Sequence, residues 1–287
     1  MSSEWVLGRP APALRSLVDS YVGYRVTAPA PTVHRGLPSR HLTLIASIGE
    51  PIDVVAQTDP GQGPDRYRVV LGGLQPGPAL IAAPAVQEGV AIELTPLGCR
   101  ALLGMPARAL WNLSVEAADV LGPSADELWE RLHWAADWPG RFATCDDVLS
   151  RRLAASRASG VPAEVVGAWD LVVASGGTLG VADVADRVRW SRRHLTQRFT
   201  SEFGLSPKLA ARVVRFERAG SMLRSPRRPG LAEVAAACGY YDQPHLNRDF
   251  VALAGCPPRE WLQSELPIRE LPSVQDGPVP HPSGSAA

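Results

Sequence analysis

The chain has 287 residues with 29 basic and 29 acidic side chains, a formal net charge of zero, and 45% of its residues are hydrophobic against 20% charged. That composition has room for roughly two globular domains, and it excludes a disordered polyelectrolyte, a collagen-like repeat and a protein that coats nucleic acid along its whole length. Cys99, Cys145, Cys238 and Cys256 form no C-x-x-C pair, which argues against a zinc ribbon and a disulfide scaffold and fits a reducing compartment.

Up to about residue 96, short apolar runs punctuated by Gly and Pro read as strands. His41 to Ile48 and Ile52 to Gln57 flank Gly49-Glu50-Pro51, Tyr67 to Leu71 follows another loop, and Gly89 to Thr95 alternates Val90, Ile92 and Leu94 with smaller or polar residues. These predict a small antiparallel sheet or partial barrel. The longest uncharged run, Val69 to Gln87, is broken by glycines and prolines, and the N-terminus has no apolar leader, so no membrane span is expected and the chain reads as cytoplasmic. From Leu97 the spacing becomes helical, over Leu97–Leu103, Ala125–Trp134 and Ala143–Ala155. The expected organisation is an α+β sensor or dimerisation domain over 1–155, a linker over 156–162, an all-α domain over 163–265 and a disordered Pro-rich tail over 266–287.

Between residues 184 and 258 the sequence repeats itself at an offset of about fifty. Val184-Ala185 matches Val234-Ala235, Trp190 matches Tyr240, His194-Leu195 matches His245-Leu246, Phe199 matches Phe250, and Gly204 and Pro207 match Gly255 and Pro258. Each copy reads as helix, tight turn, helix. In the second, Gly239 permits a positive φ in the turn, Asp242 caps the next helix and Pro244 sits harmlessly in its first turn. Leu195, Phe199, Leu246 and Phe250 face a core, leaving Arg192, Arg193, Thr196 and Gln197 exposed in one copy and Gln243, His245, Asn247 and Arg248 in the other. Arg, Gln and Asn can contact base edges bidentately, and the geometry is that of a helix-turn-helix. Residues 187–228 hold twelve basic side chains against Glu202 and Glu217, a net +10 in a neutral chain, as phosphate binding requires. Ser206 and Pro207 open a joining helix of ~18 residues, or ~27 Å, long enough to hold two reading heads about one DNA turn apart. Arg212, Arg215 and Arg218 on that helix read as its solvated face or as phosphate contacts.

The stretch from Ala163 to Gln263, above all Ser191 to Pro207 and Leu231 to Phe250, resembles the DNA-binding domain of the AraC/XylS family of bacterial transcription regulators. The resemblance implies base contacts at Arg193, Thr196, Gln197, Gln243, His245 and Arg248. Two positions depart from the family pattern: Arg189 stands where a turn Gly is usual, and Pro244 replaces a small or polar residue. Leu97 to Leu110 is similar to a regulatory domain often found N-terminal to such domains; the resemblance implies an incomplete cupin-like β unit followed by helices, a half that in better-known relatives binds an effector or dimerises. Double-stranded DNA is therefore the expected partner, with RNA polymerase, a small effector and a second copy of the chain as further candidates. No cofactor and no enzymatic activity are expected: catalytic motifs are absent, and the scattered cysteines speak against the alkyl-transfer repair proteins that share this domain. The alternative is a small-molecule-binding or protein-interaction module with a vestigial DNA-binding fold. His34, His41 and Glu50 are too loosely spaced to predict a metal site. Trp5, Tyr21, Tyr24 and Trp111 are read as core or as the lining of an effector pocket, and Trp129, Trp134 and Trp138 as core or a dimer face.

Overall fold

The computed structural model describes residues 2–27, 32–158 and 160–265; the tail expected over 266–287 lies outside the described residues. Ten strands precede the main helices: β1 (Ser2–Gly8), β2 (Val18–Thr27), β3 (Thr32–Gly36), β4 (Leu42–Ser47), β5 (Ile52–Ala56), β6 (Asp65–Tyr67), β7 (Val69–Gly72), β8 (Ala79–Ala83), β9 (Val86–Leu94) and β10 (Ser114–Glu116). They form two antiparallel sheets, ordered β1-β2-β9-β4-β7-β10 and β3-β8-β5-β6. Alternation along β4 and β9 puts Leu42, Leu44, Val90, Ile92 and Leu94 fully inside, the period-two burial of a half-covered sheet. One expectation is corrected: Tyr67 to Leu71 is two strands. The chain leaves the small sheet after Tyr67 and joins the large one at Val69, and the intervening Arg68 donates its backbone N–H to Glu116 Oε2 at 3.0 Å.

Thr95 caps α1 (Pro96–Gly98), which runs into a π-helical turn at Cys99–Leu103; a 3-10 turn (Ala107–Leu110), α2 (Ala118–Leu121), α3 (Pro123–Trp134) and α4 (Trp138–Ala155) follow. Asp137 caps α4 by accepting from the Gly140 N–H at 2.8 Å. Tyr21 fixes α4 on the large sheet, its ring stacked 5.8 Å from Phe142 and its hydroxyl donating to Asp146 at 2.9 Å. Tyr21 and Trp138 are therefore core, whereas Trp134 stands 82% exposed at the end of α3, because the periodicity that buries Leu128 and Leu132 turns it outward.

The C-terminal half comprises α5 (Ala163–Ala174), α6 (Val181–Arg187), α7 (Arg192–Phe203), α8 (Pro207–Arg224), α9 (Leu231–Ala237), α10 (Gln243–Ala254) and α11 (Pro258–Glu265). Its apolar contacts divide unevenly. One core runs from the large sheet through Leu149 on α4 into Val165, Trp169, Leu195, Phe199 and Phe203. A separate core gathers Val213, Phe216, Leu246, Phe250 and Trp261 around α8 to α11. The first repeat thus shares its core with the N-terminal half, and the second has its own.

Candidate nucleic-acid interface

The two repeats are built by the same local chemistry. In the first turn the Arg189 N–H donates to the Asp186 carbonyl at 3.1 Å and the Trp190 N–H to Ala185 at 2.9 Å; in the second, Gly239 donates to Ala236 at 3.2 Å and Tyr240 to Ala235 at 2.9 Å. This pair of bonds ends a helix through one left-handed residue. Arg189 and Gly239 are those residues, with φ of +58° and +74°. Arg189 therefore adopts the geometry for which a glycine would be natural, at a steric cost that Gly escapes. The substitution Arg189→Gly is expected to raise stability by up to about 1 kcal/mol, the left-handed penalty less the extra chain entropy of glycine. A lower melting temperature would show that the arginine side chain contributes more than its backbone costs.

Each reading helix is then capped. Ser191 Oγ accepts from the His194 N–H at 3.2 Å and Asp242 Oδ1 from the His245 N–H at 2.7 Å. The two histidines match in role as well as position: His194 stands edge-on to Trp190 at 4.5 Å and His245 edge-on to Tyr240 at 5.2 Å. His245 Nδ1 also accepts from the Tyr241 N–H at 3.4 Å, so this imidazole braces its own turn. Burial pushes the Tyr240 phenol well above its ordinary pKa, and the Arg215 guanidinium lies 5.3 Å from the centre of its ring.

Arg192, Arg193, Thr196 and Gln197 are exposed on α7 and line one open hollow. On α10, Arg248 is exposed, while Gln243, His245 and Asn247 are half-buried. Asn247 Oδ1 faces inward without a hydrogen-bond partner. The residues read from the sequence thus form two faces of different character, a continuous polar one on α7 and a narrower one on α10.

The charge of the segment is sorted by the fold. Both of its acids turn to the N-terminal half: Arg100 donates to Glu202 from Nε at 2.7 Å and from a terminal nitrogen at 2.6 Å. Glu217 accepts from Ser39 Oγ at 2.8 Å and lies 3.8 Å from Arg40. Arg187, Arg189, Arg192, Arg193, Arg198 and Lys208 stay exposed, which concentrates positive charge around α7. Arg212 is not part of a free phosphate-binding face, since it donates to Asp249 at 2.8 and 3.1 Å. Asp249 is buried on α10, so this pair ties the joining helix to the second repeat.

The loosely spaced His34, His41 and Glu50 do not converge. His34 is on β3 of the small sheet, and Glu50 is exposed beside Arg66 at 3.9 Å. His41 instead faces Asp19 and Glu93, a grouping that sequence spacing gave no reason to expect.

A β-sheet half packed against two capped helix-turn-helix units, with exposed positive charge concentrated on the first, defines a DNA-binding transcription regulator. Residues 184–264 match the model of the family described as a helix-turn-helix domain, and this part of the chain is a helix-turn-helix domain of the AraC type. No curated protein matches the chain. Among solved structures it is similar to ToxT from Vibrio cholerae, at 12% identity and a TM-score of 0.50 over 92% of this chain and 99% of that one. It is also similar to an AraC-type regulator from Chromobacterium violaceum (24% identity, 37% of this chain and 94% of that one, TM-score 0.33). A third likeness is to the DNA-binding domain of AdpA in complex with a target DNA (28% identity, 37% and 94%, TM-score 0.32). The ToxT likeness extends the shared fold over both halves. No helix among the described residues is long and apolar enough to cross a membrane.

Proposed function

We propose that this regulator reads two successive major grooves on one face of a DNA duplex, with α7 as the dominant reader and α10 as the second. The observation that carries the reading is the repetition of one turn and one cap at the head of both helices, with exposed Arg, Thr and Gln side chains beyond them on α7 and an exposed Arg248 on α10. The 18 residues of α8 set the heads apart by about 27 Å along its axis. Arg192, Arg193, Thr196 and Gln197 contact bases or their flanking phosphates in the first groove; Arg248 and Gln243 do so in the second, with Asn247 and His245 at its margin. The division of labour follows from burial, because a half-buried side chain already held by its own turn reaches less far.

In this reading residues 1–155 form a control domain, 156–162 a linker and 163–265 the double helix-turn-helix domain. The chain acts as a regulator and not as an enzyme. A small effector, a second copy of the chain and RNA polymerase are partners through which binding becomes regulation. The contacts of Arg100 and Arg40 with the helices of the DNA-binding half support such control, since any change in the sheet domain is felt at α7 and α8.

Selection of bound duplexes from a random pool, followed by salt titration, tests the proposal. Two half-sites about one helical turn apart and a steep salt slope are expected. Arg193→Ala or Arg248→Ala should cost roughly 1–3 kcal/mol at the selected site and relax preference within its own half-site. Equal weakening on scrambled DNA would make these residues phosphate contacts, and a pool without enrichment would sink the sequence-specific reading.

A further inference from the structure

Three neighbouring strands of the large sheet end in a group that the DNA-binding reading does not use. Asp19 is the extra residue of a bulge on β2, where Val18 pairs with Leu94 but Ser20 with Glu93. Such a bulge re-aims one side chain out of the regular alternation. Glu93 lies on β9 between the buried Ile92 and Leu94 and so faces the opposite side of the sheet from them, and His41 immediately precedes β4, whose Leu42 also pairs with Leu94. One donor atom from each of Asp19, His41 and Glu93 lies within 4.8 Å of the other two.

The imidazole is only 7% exposed and stands between the two carboxylates, with Nε2 3.5 Å from Asp19 and Nδ1 3.9 Å from Glu93. Both separations are longer than a good hydrogen bond, so the ring has a carboxylate on either side without a short bond to either. The surroundings hold each donor in place. Ser20 Oγ–H donates to Glu93 Oε2 at 2.9 Å, Ser39 Oγ accepts from the His41 backbone N–H at 3.0 Å, and Arg40 lies 3.5 Å from Asp19. Outer partners that fix a ligating carboxylate or histidine are typical of built metal sites. The two carboxylates are partly exposed, which leaves an entry path and room for water ligands.

We propose that Asp19, His41 and Glu93 bind one divalent first-row transition-metal ion. One borderline nitrogen with two oxygens suits manganese, iron(II), cobalt or zinc, and suits magnesium and calcium poorly because these prefer oxygen alone. Occupancy has a path to the DNA-binding half. Arg40 is shared between Asp19 and Glu217 on α8, at 3.5 and 3.8 Å. An ion on Asp19 satisfies that carboxylate and repels the guanidinium, which shifts Arg40 toward Glu217 and tightens the contact with the joining helix. This second step rests on the regulator reading; metal binding does not.

The full chain, stripped with a chelator, is dialysed against Mn²⁺, Co²⁺ or Zn²⁺, with Mg²⁺ as control, and the bound metal is counted. One ion per chain is expected, with cobalt absorption bands in the visible. His41→Gln should abolish binding, and Ser20→Ala, outside the donor set, should weaken it roughly 10- to 100-fold with folding intact by circular dichroism. Failure to retain any of the three ions, or retention unchanged in both His41→Gln and Glu93→Gln, overturns the site. For the coupling, the metal should change affinity for the selected duplex in the wild-type chain and not in Arg40→Gln, which keeps its metal; an unchanged wild-type affinity overturns that step. Because metal is counted without DNA, a chain that binds no duplex would remove the regulator reading and leave the metal site standing.

Discussion

Arg100→Ala is expected to destabilise the protein by about 3–5 kcal/mol, because it leaves a carboxylate on the first reading helix buried without its partner. The Glu202 side chain is 9% exposed and that of Arg100 22%, and both guanidinium contacts are short. The hydrogen bonds to Glu202 are also what hold the Arg100 guanidinium above its ordinary pKa. A surface pair of this kind would contribute less than about 1 kcal/mol, since water screens either partner when the other is lost. Here the escape route to water is blocked: the turn after α7 is closed by Gly204, at φ +86°, where an added Cβ would lie 2.7 Å from the Cβ of Trp111. The N-terminal half therefore seals the end of α7 as well as neutralising it. Urea denaturation of Arg100→Ala and of Arg100→Met with Glu202→Met separates two meanings. Replacing both partners with apolar side chains should recover most of the loss, because the cost lies in the stranded charge. A loss under about 1 kcal/mol in the single variant would show the pair to be solvent-screened. At the level of function, the single variant should weaken binding to the half-site read by α7 more than to the other.

How the DNA-binding half was legible and the sheet half less so follows from the range of the interactions involved. Caps, turns and core periodicity act over a few residues, so Ser191, Asp242, Gly239 and Phe250 declare their roles in sequence; even Arg189, with an unusual side chain for its place, keeps the turn that its neighbours dictate. The division of Tyr67–Leu71 into two strands depends on which sheet each half joins. No local residue type announces it. Glu202 and Glu217 read as a slight dilution of positive charge, yet their partners Arg100 and Ser39 lie 102 and 178 residues away. The same holds for Arg212, whose apparent freedom on a solvated face ends at Asp249, and for Asp19, which reaches His41 and Glu93 only because of a bulge. In sequence His41 stood only in a loose grouping with His34 and Glu50, too widely spaced to predict a site, and the topology carries those two elsewhere. Exposure of the reading residues was foreseen for α7 and overstated for α10, where His245 and Asn247 turn partly inward under interactions that helical spacing does not specify.

Truncating the two matched phenylalanines should cost similar amounts and have different consequences. Phe199→Ala and Phe250→Ala each remove a fully buried ring, a change of about 3–5 kcal/mol. Phe199 packs against Trp169 and Phe203, at ring separations of 5.8 and 4.7 Å, in the core that continues into the sheet domain. Its loss should lower the main unfolding transition of the protein. Phe250 contacts Phe216 at 4.8 Å and Trp261 at 5.5 Å in the separate core of the second repeat. A small core that shares few apolar contacts with its neighbour can open by itself, as local unfolding does elsewhere. Phe250→Ala should therefore show an additional early transition in calorimetry and protease cleavage within α9 to α11, while duplexes carrying the α7 half-site are still bound. The limit to this independence is set by α8, which contributes Leu209, Ala210 and Val214 to the first core and Val213, Phe216 and Leu223 to the second. If that shared helix transmits the damage, the Phe250 variant will unfold in one step with every probe falling together, and the two reading heads are then one cooperative unit held by their common rod.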